Sequence, residues 1–426
     1  MFVRDVSMKQ GERRLFYNTF ILCIVMQILS VSQSLYAQLA EKLYTTDYQI
    51  DHLRKGQLLF EVDNMSFYKN NEYGSTVQKG YTLPGFWLQM KAVYYPLSNL
   101  KLEAGAYSIW FWGTTRYPAL AFKNIPTFGG RDYSNNVHVL PYFRANLALS
   151  ENVNIVLGNI YGGSNHGLIE PLYNPELNLS SDPEKGMQLL YKTKWLNFDV
   201  WIDWMSFIYN KDTIQEAFAV GSTAKFKLNP PDSRFHVYLP LQGLAYHKGG
   251  EINISNASVQ TVMNGSFGAG LIWNTKSHIV NFINMEFDVA GHIFPKGRTY
   301  QPERGRGYYT KLAMQLKDFN ISSSYWAGND FISMFGNAFY SSISTREEYS
   351  RMLFSKPKMI YFGVDYTRTI GKGFVLGINA ETYYYLSGKM YSTETGLNQL
   401  SAFGHNTIYS FGVYMRINPS FLIKQY

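Results

Sequence analysis

The sequence predicts an all-β fold: a transmembrane antiparallel up-and-down β-barrel of about 16 strands (14–18), with both termini periplasmic. Three observations predict it. Apolar and polar residues alternate with a period of two in segment after segment. Short turn-forming links and longer links follow one another in alternation. Aromatic residues make up 17% of the chain, with Tyr 34 and Phe 29, an excess that the interface girdles of a membrane barrel would explain. Mean hydropathy is −0.20, which looks soluble. A barrel wall that alternates lipid-facing and lumen-facing residues averages to that value.

The chain opens on Arg4, Lys9, Arg13 and Arg14 against Asp5 and Glu12. An apolar run from Leu15 to about Val31 follows, then Ser34-Leu35-Tyr36-Ala37-Gln38. A basic start, an apolar middle and a small residue before a polar one read as a cleaved signal peptide over 1–37. Met8 offers a second possible start. A transmembrane anchor is the alternative, since the run is near the lower limit of about 17 residues for a spanning helix. The single cysteine, Cys23, sits inside the apolar run and not at its end, which excludes a lipoprotein anchor and leaves the mature chain without disulfide or thiolate chemistry. Residues 38–55 read as a periplasmic lead-in, and 56–426 as the barrel.

The strands announce themselves by parity. Leu100, Leu102, Ala104 and Ala106 alternate with Lys101, Glu103 and Gly105. The same pattern holds for Phe198, Val200, Ile202 and Trp204; for Phe235, Val237, Leu239 and Leu241; and for Val259, Met263, Phe267, Ala269 and Leu271. It continues through Ile283 to Val289, Ile360 to Tyr366, Phe374 to Ala380, and the final run Thr407 to Ile417. Period two puts the two sets on opposite faces of a strand, whereas a helix would scatter the charges over the apolar face. Short links fall at Pro96 to Asn99, Ser150 to Asn152, Leu196-Asn197, Asn229 to Asp232, Asn274 to Ser277, Lys317-Asp318 and Gly371 to Gly373. Longer ones fall at Asn70 to Lys79, Gly113 to Asn136, Tyr161 to Lys185, Asn210 to Thr213, His247 to Ala257, Gly291 to Arg306, Gly328 to Lys356 and Ser387 to Phe403. Pro141 and Pro240 lie in predicted strands and are expected at bulges or strand ends, because each lacks a donor. A soluble sandwich or propeller is the rival, but the polar parity carries charges throughout and no repeat of blade length is visible.

Net charge is +8, about +6 without the leading segment, with no basic block, which excludes nucleic acid as a partner. Outer-membrane lipid and small polar solutes are the expected partners. The parity opposite the apolar one gives pore-lining candidates Lys101, Glu103, Arg144, Lys192, Asp203, Lys225, Lys311, Asp365, Glu381 and Arg416. Such a wall either holds water for a solute path or pairs its charges across strands. Trp201 and Tyr383 fall on the same parity and could stack on sugar rings.

The segment Gly162 to Pro171 and on to Asp182-Pro183-Glu184-Lys185 lies between the fifth and sixth strands. Here the architecture resembles general porins of 16 strands, whose corresponding loop folds inward to narrow the channel with acids facing basic wall residues. That resemblance implies constriction-loop acids Glu170, Glu176, Asp182 and Glu184, with Arg144 opposite them, and a possible homo-trimer. An ordinary external loop is the alternative. The Ala37-Gln38 junction, Tyr-rich strands and Asn- and Gly-rich loops resemble outer-membrane barrels of the Bacteroidetes type.

No HExxH, phosphate-loop or dinucleotide pattern occurs, and the eight histidines lack metal-ligand spacing, so no metal and no cofactor are expected. Some outer-membrane barrels are lipid hydrolases, but in Ser164-Asn165-His166 the three groups adjoin in sequence, where triad members seldom converge in space. The chain is therefore expected not to be an enzyme. The leading expectation is a passive channel in the bacterial outer membrane, with the long Gly328–Lys356 link (Arg346, Glu347, Glu348, Arg351) over its mouth. The alternative is a non-conducting surface barrel: a receptor, a glycan-export or surface-assembly partner, or a lipid hydrolase.

Overall fold

The computed structural model describes residues 43–112, 137–230, 233–296, 302–349, 352–371, 373–392, 401–402 and 407–426. The expected signal peptide, the Gly113–Asn136 link and Arg351 lie outside the described residues.

The strands are β1 (Gln57–Glu72), β2 (Tyr81–Leu97), β3 (Leu100–Phe111), β4 (Val137–Ser150), β5 (Val153–Asn159), β6 (Lys185–Lys192), β7 (Leu196–Ser206), β8 (Glu216–Lys227) and β9 (Phe235–Gly249). They continue as β10 (Gln260–Asn274), β11 (Val280–Lys296), β12 (Arg304–Leu316), β13 (Phe319–Asn329), β14 (Met352–Gly371), β15 (Phe374–Ser392), β16 (Ser401–Ala402), β17 (Thr407–Ile417) and β18 (Ser420–Gln425). Each of β1 to β15 pairs antiparallel with its sequence neighbour. β17 pairs with both β15 and β1, and β18 continues it along the start of β1, so the two act as one stave. β16 adds two residues beside β15. The result is a closed antiparallel barrel of sixteen staves. Closure matters because lipid offers no hydrogen-bond partner, and an open edge would leave a row of unpaired amides in it.

The predicted parity is the observed one. Along β14, Ile360 and Phe362 face out while Met359 and Tyr361 are buried inside. The outer wall exposes Val139 and Phe143 of β4, Met187 of β6, Leu241 of β9, Phe267 of β10 and Met285 of β11, each about half exposed. A continuous apolar wall of this kind is stable only against hydrocarbon, which sets the protein in the outer membrane as a porin-like barrel.

Aromatic pairs bound this wall at two levels. At the long-link end Phe86 packs on Trp110 (6.0 Å) and Trp204 on Phe218 (5.1 Å). At the short-turn end Phe235 stacks on Trp273 (6.0 Å) and Phe319 on Tyr366 (5.0 Å). These are the headgroup-level girdles that the aromatic excess foretold.

Inside, glycines make room for large rings. Trp201 lies over Gly221, its direct cross-strand partner, and Tyr238 lies over Gly270 in the same relation. A methyl group at either glycine would overlap the ring. Pro240 departs from expectation, since it is neither at a bulge nor at a strand end. It sits in the middle of β9, where the ladder to β10 lapses between Leu241 and Tyr238, so its missing donor breaks no bond. Pro141 lies beyond the stretch of β4 that β5 covers.

Replacing Phe267, at the middle of the outer wall of β10, by lysine is expected to destabilise the barrel by about 2–4 kcal/mol. Urea unfolding in bilayers measures it. The same substitution at exposed Ile279 in the short turn should cost far less.

Candidate functional site

The lumen is not an open tube. The segment between β5 and β6 folds inside, as Leu172, Leu177 and Leu179 show by being fully buried. Its sequence explains the shape. Asn174 caps a short 3-10 turn over Pro175–Leu179, accepting from the Glu176 amide at 3.2 Å. Pro175 sits at the start of that turn, where its fixed φ fits. Tyr173 and Leu177 join a buried cluster with Val156, Leu190 and Trp201 of the wall.

The loop acids each meet a cation or a histidine. Glu176 pairs with Lys69 of β1 at 3.0 Å and also accepts from the Tyr81 hydroxyl. Glu170 pairs with Lys311 of β12 at 3.1 Å and accepts from Tyr340 at 2.8 Å. Asp182 lies 2.8 Å from His138, and Glu184 2.9 Å from His166. Arg144, expected opposite these acids, is elsewhere. It lies 3.6 Å from Glu103 and donates to the carbonyls of Asn159 and Ile160 (2.6 and 2.9 Å), where the loop leaves β5. It therefore fixes the root of the loop and not its tip. Lys69, the partner of Glu176, was missed because an isolated lysine on an Asn-rich strand carries no pairing signal.

His166 holds the loop to β7 of the neighbouring wall. Its Nδ1 is 2.7 Å from Asp199 and its Nε2 is 2.9 Å from Glu184, while its ring lies 3.5 Å from that of Trp201 at 9°. Burial pulls its pKa down, but Glu184 and Asp199 outweigh burial and hold it at about 10, up from 6.5. Burial likewise opposes the charge on Glu184, and His166 prevails, so that carboxyl stays below its ordinary range. Ser164 instead accepts from Asn178 at 2.8 Å, and Asn165 accepts from the Thr46 amide. The three adjoining residues thus serve three different partners, and His166 is a structural cation rather than a base.

The other wall candidates are mostly paired across strands. Glu103, fully buried, takes Lys91 and Lys101 at 2.7 Å each. Asp203 accepts from the Lys185 amide at 2.9 Å. The Lys225 ammonium lies over the Tyr238 ring at 4.6 Å. Glu381 lies 3.6 Å from Lys69, and Asp365 accepts from Asn320 at 3.3 Å. Lys192 is exposed at the end of β6. Arg416 grips Asp63 at 2.8 Å and donates to the carbonyls of Leu43 and Thr45, which anchors residues 43–46 inside the barrel. Trp201 and Tyr383 do point inward, but His166 and Phe339 (4.7 Å) cover their faces.

A second infolded segment escaped the sequence reading. Between β13 and β14, Phe331, Phe339 and Tyr340 are buried in the lumen in one cluster with Trp326 and Tyr383, and Ile332 is buried with Val262 and Phe294. The apolar run Phe331-Ile332-Ser333-Met334-Phe335 was the available signal, since a solvated external loop has no use for it. Of the residues expected over the mouth, Arg346 donates to the Ser75 carbonyl at 2.8 Å and Glu348 pairs with Lys79 at 2.6 Å. Between the loops and the wall formed by β12–β17, β1 and β2 lies a polar cavity of about 80 Å³, lined by Lys69, Lys311, Glu170, Glu176, Asp365 and Glu381 among others.

A histidine–hydroxyl pair faces outward. His247 of β9 and Thr261 of β10 are direct cross-strand partners on the outer parity, with Nδ1 3.0 Å from Oγ1. They continue the row Trp204, Phe218, His247, whose rings follow at 5.1 and 5.0 Å across three strands. That row is the girdle at the long-link end. No group of three or more His, Cys, Asp or Glu suited to a metal occurs among the described residues.

The family model described as lipid A 3'-O-deacylase-type matches residues 50–426. No curated protein matches the chain. Among solved structures it is similar to OpdK of Pseudomonas aeruginosa (9% identity, 86% of this chain, 100% of that one, TM-score 0.46). It is similar too to OccK8 (OprE) of the same organism (11%, 86%, 98%, 0.46) and OccAB2 of Acinetobacter baumannii (12%, 85%, 98%, 0.44). Scores at that level assign nothing further. The family match overturns one expectation from the sequence: the chain falls in a family named for an enzyme, and the view that it is not an enzyme is corrected. The alternation of the barrel wall dominates the sequence pattern and hides it.

A histidine pKa raised by folding adds stability that is complete below 6.5 and disappears as pH climbs through about 10. A glutamate pKa depressed by folding adds stability present above 4.5 and lost as pH falls. The loop clamp should therefore hold across neutral pH and release near pH 10. A Trp201 fluorescence increase with that midpoint, taken as the difference from W201F, is expected in the native barrel and should vanish in H166Q. That variant leaves Glu184 and Asp199 facing each other without a cation, at a cost of about 3–5 kcal/mol in loop docking.

Proposed function

The chain belongs to the lipid A 3'-O-deacylase-type family, and on that premise we propose that it is an outer-membrane acyl-ester hydrolase working from its lipid-facing wall. The observation that carries this reading is the His247–Thr261 hydrogen bond of 3.0 Å on the outer face, in the girdle at the long-link end. An acylated lipid in the adjacent leaflet places its ester linkages near headgroup depth, level with such a girdle. Among the described histidines, His138 and His166 are committed to carboxylates and His292 accepts from the Ile332 amide, whereas His247 has a hydroxyl partner.

The pair has two ways to act. With the proton on Nε2, Nδ1 accepts the Thr261 hydroxyl proton as Oγ1 attacks the ester carbonyl. The alcohol leaves with that proton, and water then releases the fatty acid from the threonine. With the proton on Nδ1, Thr261 orients the ring and Nε2 takes a proton from the attacking water. Ester and water become alcohol and fatty acid in either case. H247A and T261A are expected to lower release of 3'-O-linked fatty acid from lipid A by about a hundredfold or more, read by mass spectrometry of outer-membrane vesicles. T261S should keep activity on the nucleophile route. Full activity in both alanine variants, with the barrel folded, would sink the assignment.

A second reading concerns the lumen. The polar cavity inside supports a restricted passage for small polar solutes, narrowed by the two infolded segments. In planar bilayers the native barrel should show small steps, and deleting 168–179 should enlarge them several-fold. A deletion variant that conducts no better than the native protein would remove this reading.

A further inference from the structure

The two aromatic girdles differ in what lies over their rings. At the short-turn end, exposed cations do: Arg234 over Phe235 and Trp273 (5.9 and 5.8 Å to the ring centres), Lys194 over Trp195 (5.3 Å) and Lys424 over Tyr426 (4.4 Å). At the long-link end the rings of Phe86, Trp110, Trp204 and Phe218 carry no lysine or arginine among the described residues. Nor does Arg234, Lys194 or Lys424 pair with a carboxylate among the described residues. These are cations at the edge of a lipid-facing wall with no anion of the protein beside them.

Arg234 stands on the most complete platform. Phe235 of β9 and Trp273 of β10 are direct cross-strand partners on the outer face, stacked at 6.0 Å and 18°. Phe235 is 47% exposed, so the platform opens outward. Asn274 pins the chain beside it. Its amide donates to the Arg234 carbonyl at 2.8 Å, and its side chain donates to the Ser233 carbonyl at 3.3 Å. The arginine therefore hangs from a fixed backbone and rests on two rings, which limits the freedom it would lose on binding. An arginine on an aromatic surface keeps its planar fork of N–H groups for an acceptor, and that fork matches two oxygens of a phosphate. Lys194 and Lys424 each lie over a single ring and have no fork.

We propose that Arg234, Phe235 and Trp273 form a docking site on the outer wall for an anionic glycerophospholipid, with the guanidinium holding its phosphodiester and the two rings lying along its glycerol. Two observations select this occupant. The site continues the lipid-facing wall at the depth of a girdle, where phospholipid phosphates lie. Its charge is positive and is not matched by a neighbouring acid, so it complements a lipid of net negative charge. A zwitterionic lipid offers the same phosphate but brings its own cation to the same place, which weakens the attraction. The inference is independent both of ester hydrolysis at His247 and of passage through the lumen.

The test is native mass spectrometry of the whole barrel, loaded with phosphatidylglycerol or with phosphatidylcholine of the same chains. The native barrel is expected to retain phosphatidylglycerol roughly tenfold more than phosphatidylcholine, and R234Q to lose most of that preference. R234K keeps the charge but not the fork and should fall between the two. Heat-modifiable gel migration reports whether each variant is folded. Equal retention of the two lipids by the native barrel would overturn the proposal, and so would a folded R234Q barrel with the native preference. An R234K barrel that matches the native one would also overturn it, because charge alone would then account for the lipid.

Discussion

Every other feature depends on one constraint: in hydrocarbon, each backbone N–H and C=O must find its partner within the protein. The sheet meets it by running from β1 to β15 and returning through the β17–β18 stave to β1. Closure fixes the parity of every strand, because a one-residue slip would turn apolar residues into the lumen and charges into lipid. Even Pro240 obeys the constraint, lying where the ladder already lapses.

A closed barrel of sixteen staves encloses more space than its inward side chains fill, and here the chain itself fills the rest. The two segments that enter do so by different physics. The β13–β14 segment brings Phe331, Ile332, Phe339 and Tyr340 and is held by apolar burial. The β5–β6 segment adds charge to the burial of Leu172, Leu177 and Leu179, with Glu176, Glu170 and Glu184 each meeting a cation. Buried pairs of this kind add little net stability, but losing one partner strands the other, so they specify where the loop sits more than how firmly the barrel folds. The proposed chemistry on lipid, by contrast, lies on the outer face, where His247 and Thr261 interrupt the aromatic girdle.

The sequence carried the wall almost completely. Period-two runs such as Phe374 to Ala380, and links such as Lys317-Asp318, are local signals that need no knowledge of the rest of the chain. They sufficed for the stave number, the antiparallel order and the sidedness of most strands. The inward acids and bases were also identified, because parity alone assigns them. Their partners were not. Arg144 was placed against the loop acids, whereas it binds Glu103 and the root of the loop, and Lys69 was passed over. Membership in the family was equally hidden, and the proposed His–Thr pair, fourteen residues apart, looks like two ordinary strand residues until the strands are side by side.

The amino-acid sequence by itself thus determined that the chain makes a closed, two-faced sheet with a lipid-side belt, because alternation and turn chemistry act within a few residues. Only the tertiary structure decided what occupies the space inside. Which acid meets which base, and which ring covers which glycine, depend on contacts between residues on different strands and loops, some more than a hundred positions apart, as between Glu170 and Lys311 or between Arg416 and Asp63. Long-range pairing of that kind leaves no periodic trace in the sequence. It becomes legible only when closure brings the staves around the loops.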